Sequence, residues 1–82
     1  MVKLKLNQII EVEWNDTVTH SLWIPQEEAK EKPLCQCKSI GYFLSQDEKT
    51  MRLSCTIQLD DKPERDLTVI PQGCITRVRK LK

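Results

Sequence analysis

From Met51 to Leu59 every second residue is apolar: Met51, Leu53, Cys55, Ile57 and Leu59 are separated by Arg52, Ser54, Thr56 and Gln58. Successive side chains leave a β-strand on opposite faces, so this spacing predicts a strand with one buried face. An amphipathic helix, whose apolar residues recur every three or four positions, is excluded. The same period sets Ile10, Val12 and Trp14 opposite Glu11 and Glu13, and Val2, Leu4 and Leu6 opposite Lys3 and Lys5. Asn7-Gln8 predicts a bend between these two short strands.

The remaining segments extend the β pattern. Between Leu34 and Ser45, Ile40, Tyr42 and Leu44 lie on one side and Gly41 and Phe43 on the other, as in a central strand with apolar residues on both faces. Gly41 permits a bulge or a close approach by another backbone. Gln46 to Lys49 and Asp60 to Glu64 are polar turns by composition. Leu67 to Ile70 predicts a short strand ended by Pro71-Gln72-Gly73. The last strand, Ile75 to Leu81, carries Arg77, Arg79 and Lys80, with Lys82 just beyond it.

Only residues 15–33 lose the alternation, and they contain one short helix. Pro25 suits a first helical position, Glu27 and Glu28 the positive end of the helix dipole, and Lys30 and Lys32 the negative end; Pro33 stops it. A helix of one or two turns needs tertiary contacts to persist.

This order predicts an all-β fold: a single small domain over residues 1–82, an SH3-like or Sm-like barrel of five to six strands with a long first loop carrying the helix. The run VIPQGCITRV matches the end of such barrels, where a proline-led 3₁₀ turn precedes the closing strand. Closure would remove exposed strand edges. Fold alone assigns no function.

With 39% hydrophobic and 30% charged residues the chain is of globular rather than disordered composition. A net charge of +1 gives no bulk attraction to nucleic acid or membrane, so any electrostatic role belongs to local patches. No apolar run approaches the roughly 20 residues of a spanning helix. The lysine-interleaved start, MVKLKLNQII, has no signal-peptide core, and the expected location is the cytoplasm. Cys35, Cys37, Cys55 and Cys74 are therefore expected to be reduced and buried. Zinc is the sharper alternative, but Cys35-x-Cys37 has one intervening residue where structural sites use two to four.

No catalytic signature is present. Asp16, His20 and Ser21 are triad residue types crowded onto one loop, without a nucleophile elbow or oxyanion-hole glycine. Gly41 and Gly73 are the only glycines, which excludes phosphate-binding glycine loops. No enzymatic activity and no cofactor are expected.

Binding residues are easier to nominate. Trp14 ends an inward alternation and fits the core as a barrel cap. Trp23 lies beyond six polar side chains; partly exposed beside Asp16, Thr17 and His20, it would offer flat stacking area flanked by hydrogen-bonding groups. Asp16 also fits a plain turn, its carboxylate bonding backbone two residues on. Lys3 and Lys5 on the first strand and Arg77 and Arg79 on the last would form one cationic patch if those strands are neighbours. Such a patch suits phosphate, or simply guards a sheet edge against aggregation. Without an aromatic-rich basic stripe, a long single-stranded nucleic acid is not the expected partner.

Glu13-Trp14-Asn15-Asp16-Thr17, the later Trp23, Cys37-Lys38-Ser39-Ile40-Gly41-Tyr42 and Ile70-Pro71-Gln72-Gly73-Cys74-Ile75 together resemble a group of short bacteriophage-encoded proteins of mostly unassigned function. The shared pattern is W-x-D-[ST], W, C-x-[ST]-[IV]-G-[YW] and I-P-x-x-x-I, spanning about Glu11 to Val78. The resemblance implies a phage accessory protein acting in the infected bacterial cytoplasm, of the anti-defence kind that sequesters cyclic nucleotide second messengers without catalysis. Such a sponge needs aromatic faces for bases, cations for phosphates and a homo-oligomer to enclose the guest. The candidate ligand-binding residues are Trp14, Asp16, Thr17, His20, Trp23, Ser39, Tyr42, Arg77 and Arg79. Two competing expectations are an SH3-like module gripping a host or virion protein through the Trp-bearing loop, and an Sm-like RNA-binding barrel.

Overall fold

A computed structural model describes residues 2–81. The fold is mainly β: strands β1 (Ile9–Asp16), β2 (Cys35–Gln46), β3 (Thr50–Ser54), β4 (Thr68–Pro71) and β5 (Ile75–Lys80) form one antiparallel sheet in the order β4-β3-β2-β1-β5. A four-residue helix α1 (Gln26–Ala29) sits in the loop between β1 and β2, and a 3₁₀ turn (Gln72–Cys74) links β4 to β5. Pro25 is the residue before the helix rather than its first member.

Alternation builds the core. Ile10 and Val12 of β1, Phe43 of β2, Met51 and Leu53 of β3 and Ile70 of β4 are buried together, with Leu4, Trp14, Ile75 and Val78 packed against them. β2 is central, as its two apolar faces predicted, and pairs with β1 and β3. The close approach at Gly41 is to Ser54: a Cβ there would stand 2.7 Å from the Ser54 carbonyl oxygen. A break in register between Phe43 and Ser45 bends β2 just beyond this point.

Four expectations are corrected. The sheet is not closed into a barrel: among the described residues β4 pairs only with β3 and β5 only with β1, while Ile70 belongs to the core and Ile75 and Val78 pack against it. Val2 to Leu6 is not a strand. Asn7 adopts a left-handed conformation (φ 63°) and the Lys5 carbonyl accepts from the Gln8 amide, so a tight turn replaces the bend and the preceding residues join no ladder. β3 stops at Ser54, four residues short of the alternating run's last polar residue, because one Asp66 carboxylate oxygen accepts both the Cys55 and Thr56 amides at 2.8 Å. That diversion sends residues 55–67 out as an arm held by the Gln58–Glu64 and Asp66–Thr56 backbone bonds, leaving Cys55 and Leu59 exposed. Finally, all four cysteines are free thiols but none is buried. Lys82 lies outside the described residues.

Candidate functional site

The nominated residues divide among three places. In the unbroken β1–β2 register, Ile10, Val12, Trp14 and Asp16 share the core face with their partners Gly41, Ser39, Cys37 and Cys35. Trp14 is half-buried and its indole Nε1 donates to the Ser39 Oγ at 3.0 Å, so these two nominees do meet. Asp16 ends β1 with its carboxylate accepting the Thr17 amide at 2.8 Å, one residue on rather than two.

The second group lies on the opposite face. Ile9, Glu11 and Glu13 alternate with the core residues, and their partners include Tyr42, Ile40, Lys38, Arg79 and Arg77. Here the cations meet carboxylates, not vacant space. Arg79 donates to Glu11 at 3.2 Å, and the Lys38 ammonium lies 3.8 Å from both Glu11 and Glu13. Glu11 is only 7% exposed, and its burial is tolerated because cations from both neighbouring strands flank it. Arg77 stands opposite Glu13. The expected patch of Lys3, Lys5, Arg77 and Arg79 does not form as one ladder: β5 lies beside residues 10–14, and Lys3 and Lys5 belong to the irregular segment before Asn7.

Thr17, His20 and Trp23 make the third group, all exposed in the loop between β1 and β2. Trp23 is fully exposed, and Leu22 beside it nearly so. The loop's anchors are firm, since it leaves β1 at Asp16 and re-enters the sheet at the Asp16 partner Cys35. Glu28–Lys32 and Glu27–Lys30 ion pairs brace its helix at 3.1 and 3.2 Å.

A concavity of about 480 Å³ opens at the far end of the β1–β2 ladder, lined by Trp14, Asn15, Gln36, Cys37, Lys38 and Thr76 among others. Thr76 is fixed there by donating its hydroxyl to the Glu13 carbonyl oxygen. Cys37 and Cys35 lie side by side on one strand, their sulfurs 3.8 Å apart. Desolvation raises the Cys37 pKa above its ordinary value of 9.0, and the neighbouring Cys35 thiol and Asp16 charge raise it further; an Asp16 backbone hydrogen bond opposes them. A thiol held protonated is a poor nucleophile and a poor metal ligand at neutral pH. Among the described residues no cluster of three or more His, Cys, Asp or Glu side chains is arranged to hold a metal ion, and no helix is long and apolar enough to cross a membrane.

The Glu11 centre escaped sequence reasoning, although its signal was present. The strand beside β5 is the glutamate-bearing stretch 9–16, not the lysine-bearing stretch 2–6, so the β5 arginines face Glu11 and Glu13. No family model matches the chain, and no curated protein or solved structure matches it.

Proposed function

We propose that this protein is a non-catalytic protein-binding module whose β1–β2 loop presents Trp23 as the anchor for a protein partner. The observation that carries the reading is the full exposure of Trp23 beside Leu22, on a loop clamped at both ends by paired strands. Solvent-exposed indole is costly to leave unpartnered, and tryptophan is among the residues that dominate binding energy when a partner pocket covers it. The neighbouring Thr17 and His20 supply polar contacts at the rim. On the resemblance to phage proteins, the partner would be a host or virion protein.

Nucleotide sequestration is the second reading, favoured by the concavity at the far end of the β1–β2 ladder, whose lining includes Trp14 and Lys38. It ranks second because Arg79 and Lys38 are already engaged by Glu11 and Glu13, and because Tyr42, Arg77 and Arg79 lie on the opposite face from Trp14.

One paired experiment tests both. Immobilised wild-type protein and its Trp23→Ala variant are exposed to extract of the bacterial host, and each captured protein is then titrated in purified form. The expected result is a saturable partner whose affinity falls at least about tenfold with Trp23→Ala, as for an anchor residue, while the melting temperature is unchanged. No Trp23-dependent partner, together with stabilisation by a cyclic nucleotide panel, would favour the second reading instead.

A further inference from the structure

We infer that β2 carries an unfinished sheet edge, and that a second copy of the chain completes it by antiparallel β2–β2 pairing about a two-fold axis at Cys37. The inference concerns the strand rather than Trp23 and stands whether or not the protein-binding reading does.

The edge follows from strand lengths. β2 runs over 12 residues, but β3 pairs only with its last part, Tyr42 to Gln46. From Cys35 to Gly41 β2 has β1 on one side and, among the described residues, no strand on the other. Backbone direction alternates along an antiparallel strand. The Phe43 amide donates to the Gln8 carbonyl oxygen at 2.8 Å on the β1 side. In the unbroken register, Gly41, Ser39, Cys37 and Cys35 therefore also point their backbone groups at β1, and Ile40, Lys38 and Gln36 point theirs away from it. A row of outward amides and carbonyls of this kind is a template for another strand.

The side chains select the occupant and its register. Leu34 is 56% exposed and Ile40 53% exposed, six residues apart at the two ends of this edge. Antiparallel pairing centred on Cys37 sets Leu34 of one copy against Ile40 of the other at both ends. The same register sets Gln36 against Lys38, amide against ammonium, and Cys35 against Ser39. Sliding one copy to centre on Lys38 would oppose two ammonium groups, which is unfavourable for directly facing residues. A net charge of +1 per copy adds little long-range repulsion. The contact also has natural limits: Pro33 ends the ladder beyond Leu34, and the Cys55 thiol already lies 3.8 Å from the Ile40 carbonyl oxygen at the other end.

This register makes a covalent reporter. Cys37 meets its own copy at a non-hydrogen-bonded position, where Cα atoms approach to about 4.5 Å, within the roughly 4.4–6.8 Å span of a disulfide. Cys35, facing Ser39, is displaced from its counterpart by four residues, about 13 Å along the strand. Full-length chains retaining one cysteine each, with serine at the other three positions, are oxidised with diamide, which takes up the two electrons and two protons as two thiols join. The chain keeping Cys37 is expected to convert to a disulfide-linked dimer on a non-reducing gel, and chains keeping Cys35 or Cys55 to remain single. In reducing buffer, sedimentation should show the wild type as a reversible dimer. Lys38→Pro, which removes an outward amide while sparing the β1 ladder, should weaken it by about tenfold or more, with circular dichroism verifying that the variant folds. A wild type monomeric at every concentration would overturn the proposal. So would equal cross-linking through Cys35 and Cys37, or a folded Lys38→Pro variant that dimerises as well as the wild type.

Discussion

Individual side chains do two kinds of work in this fold, and both can be tested singly. Gly41 is needed for space: an alanine methyl would stand 2.7 Å from the Ser54 carbonyl oxygen, and both atoms sit on paired strands that cannot shift independently. Gly41→Ala should cost about 1–3 kcal/mol, read from the urea midpoint, whereas Gly73→Ala, with nothing within 4 Å of the added carbon, should stay within about 0.5 kcal/mol. Asp47 works through charge. Its carboxylate accepts the Thr50 and Lys49 amides in the β2–β3 turn, which holds its pKa below the ordinary 3.8. A pKa depressed in the folded state means a contribution present at neutral pH and lost as pH falls below 3.8 through the folded value. Asp47→Ala should therefore melt below the wild type at neutral pH, and the two melting curves should converge in acid.

At the scale of elements, strand type was legible from period-two alternation, but strand length was not. Nothing in Met51 to Leu59 distinguishes the paired half from the diverted half; the difference is made by Asp66, eleven residues beyond Cys55, whose carboxylate takes the two amides that a continuing ladder would have used. That contact is long-range and invisible to local spacing. Asp66→Ala removes the cap-like clamp and should cost about 1 kcal/mol, as lost helix caps do. Hydrogen exchange should show the Cys55 and Thr56 amides losing protection while those of Met51 and Leu53 keep theirs. The candidate site was legible to a similar depth. The Trp14–Ser39 contact lies among residues that the sequence grouped together, whereas the division of Trp14 from Arg77 and Arg79 depends on which face each strand presents to β1, a property of register rather than of residue type.

The whole molecule is long and thinly filled. Its dimensions are 55 × 24 × 23 Å and its radius of gyration is 16.1 Å, against about 12 Å for a compact chain of this length. Among the described residues six buried apolar side chains form the core, while Leu59, Leu22 and Trp23 lie in solvent at the arm and loop. Stability is accordingly concentrated where β1, β2, β3 and β4 overlap. A domain of this size has about 4–12 kcal/mol in total, and removing one fully buried isoleucine costs about 2–5 kcal/mol. Ile10→Ala should therefore lower the melting temperature by about 10–30 °C or prevent folding outright, whereas Leu59→Ser at the arm should leave it unchanged within error. If both variants melted alike, the exposed arm would have to be packing against something, and the division between a load-carrying centre and free extremities would fail. The expected contrast instead confines the arm's structural duty to Arg65 and Asp66 at its base, so that substitutions at exposed tips, Trp23→Ala among them, report on binding alone.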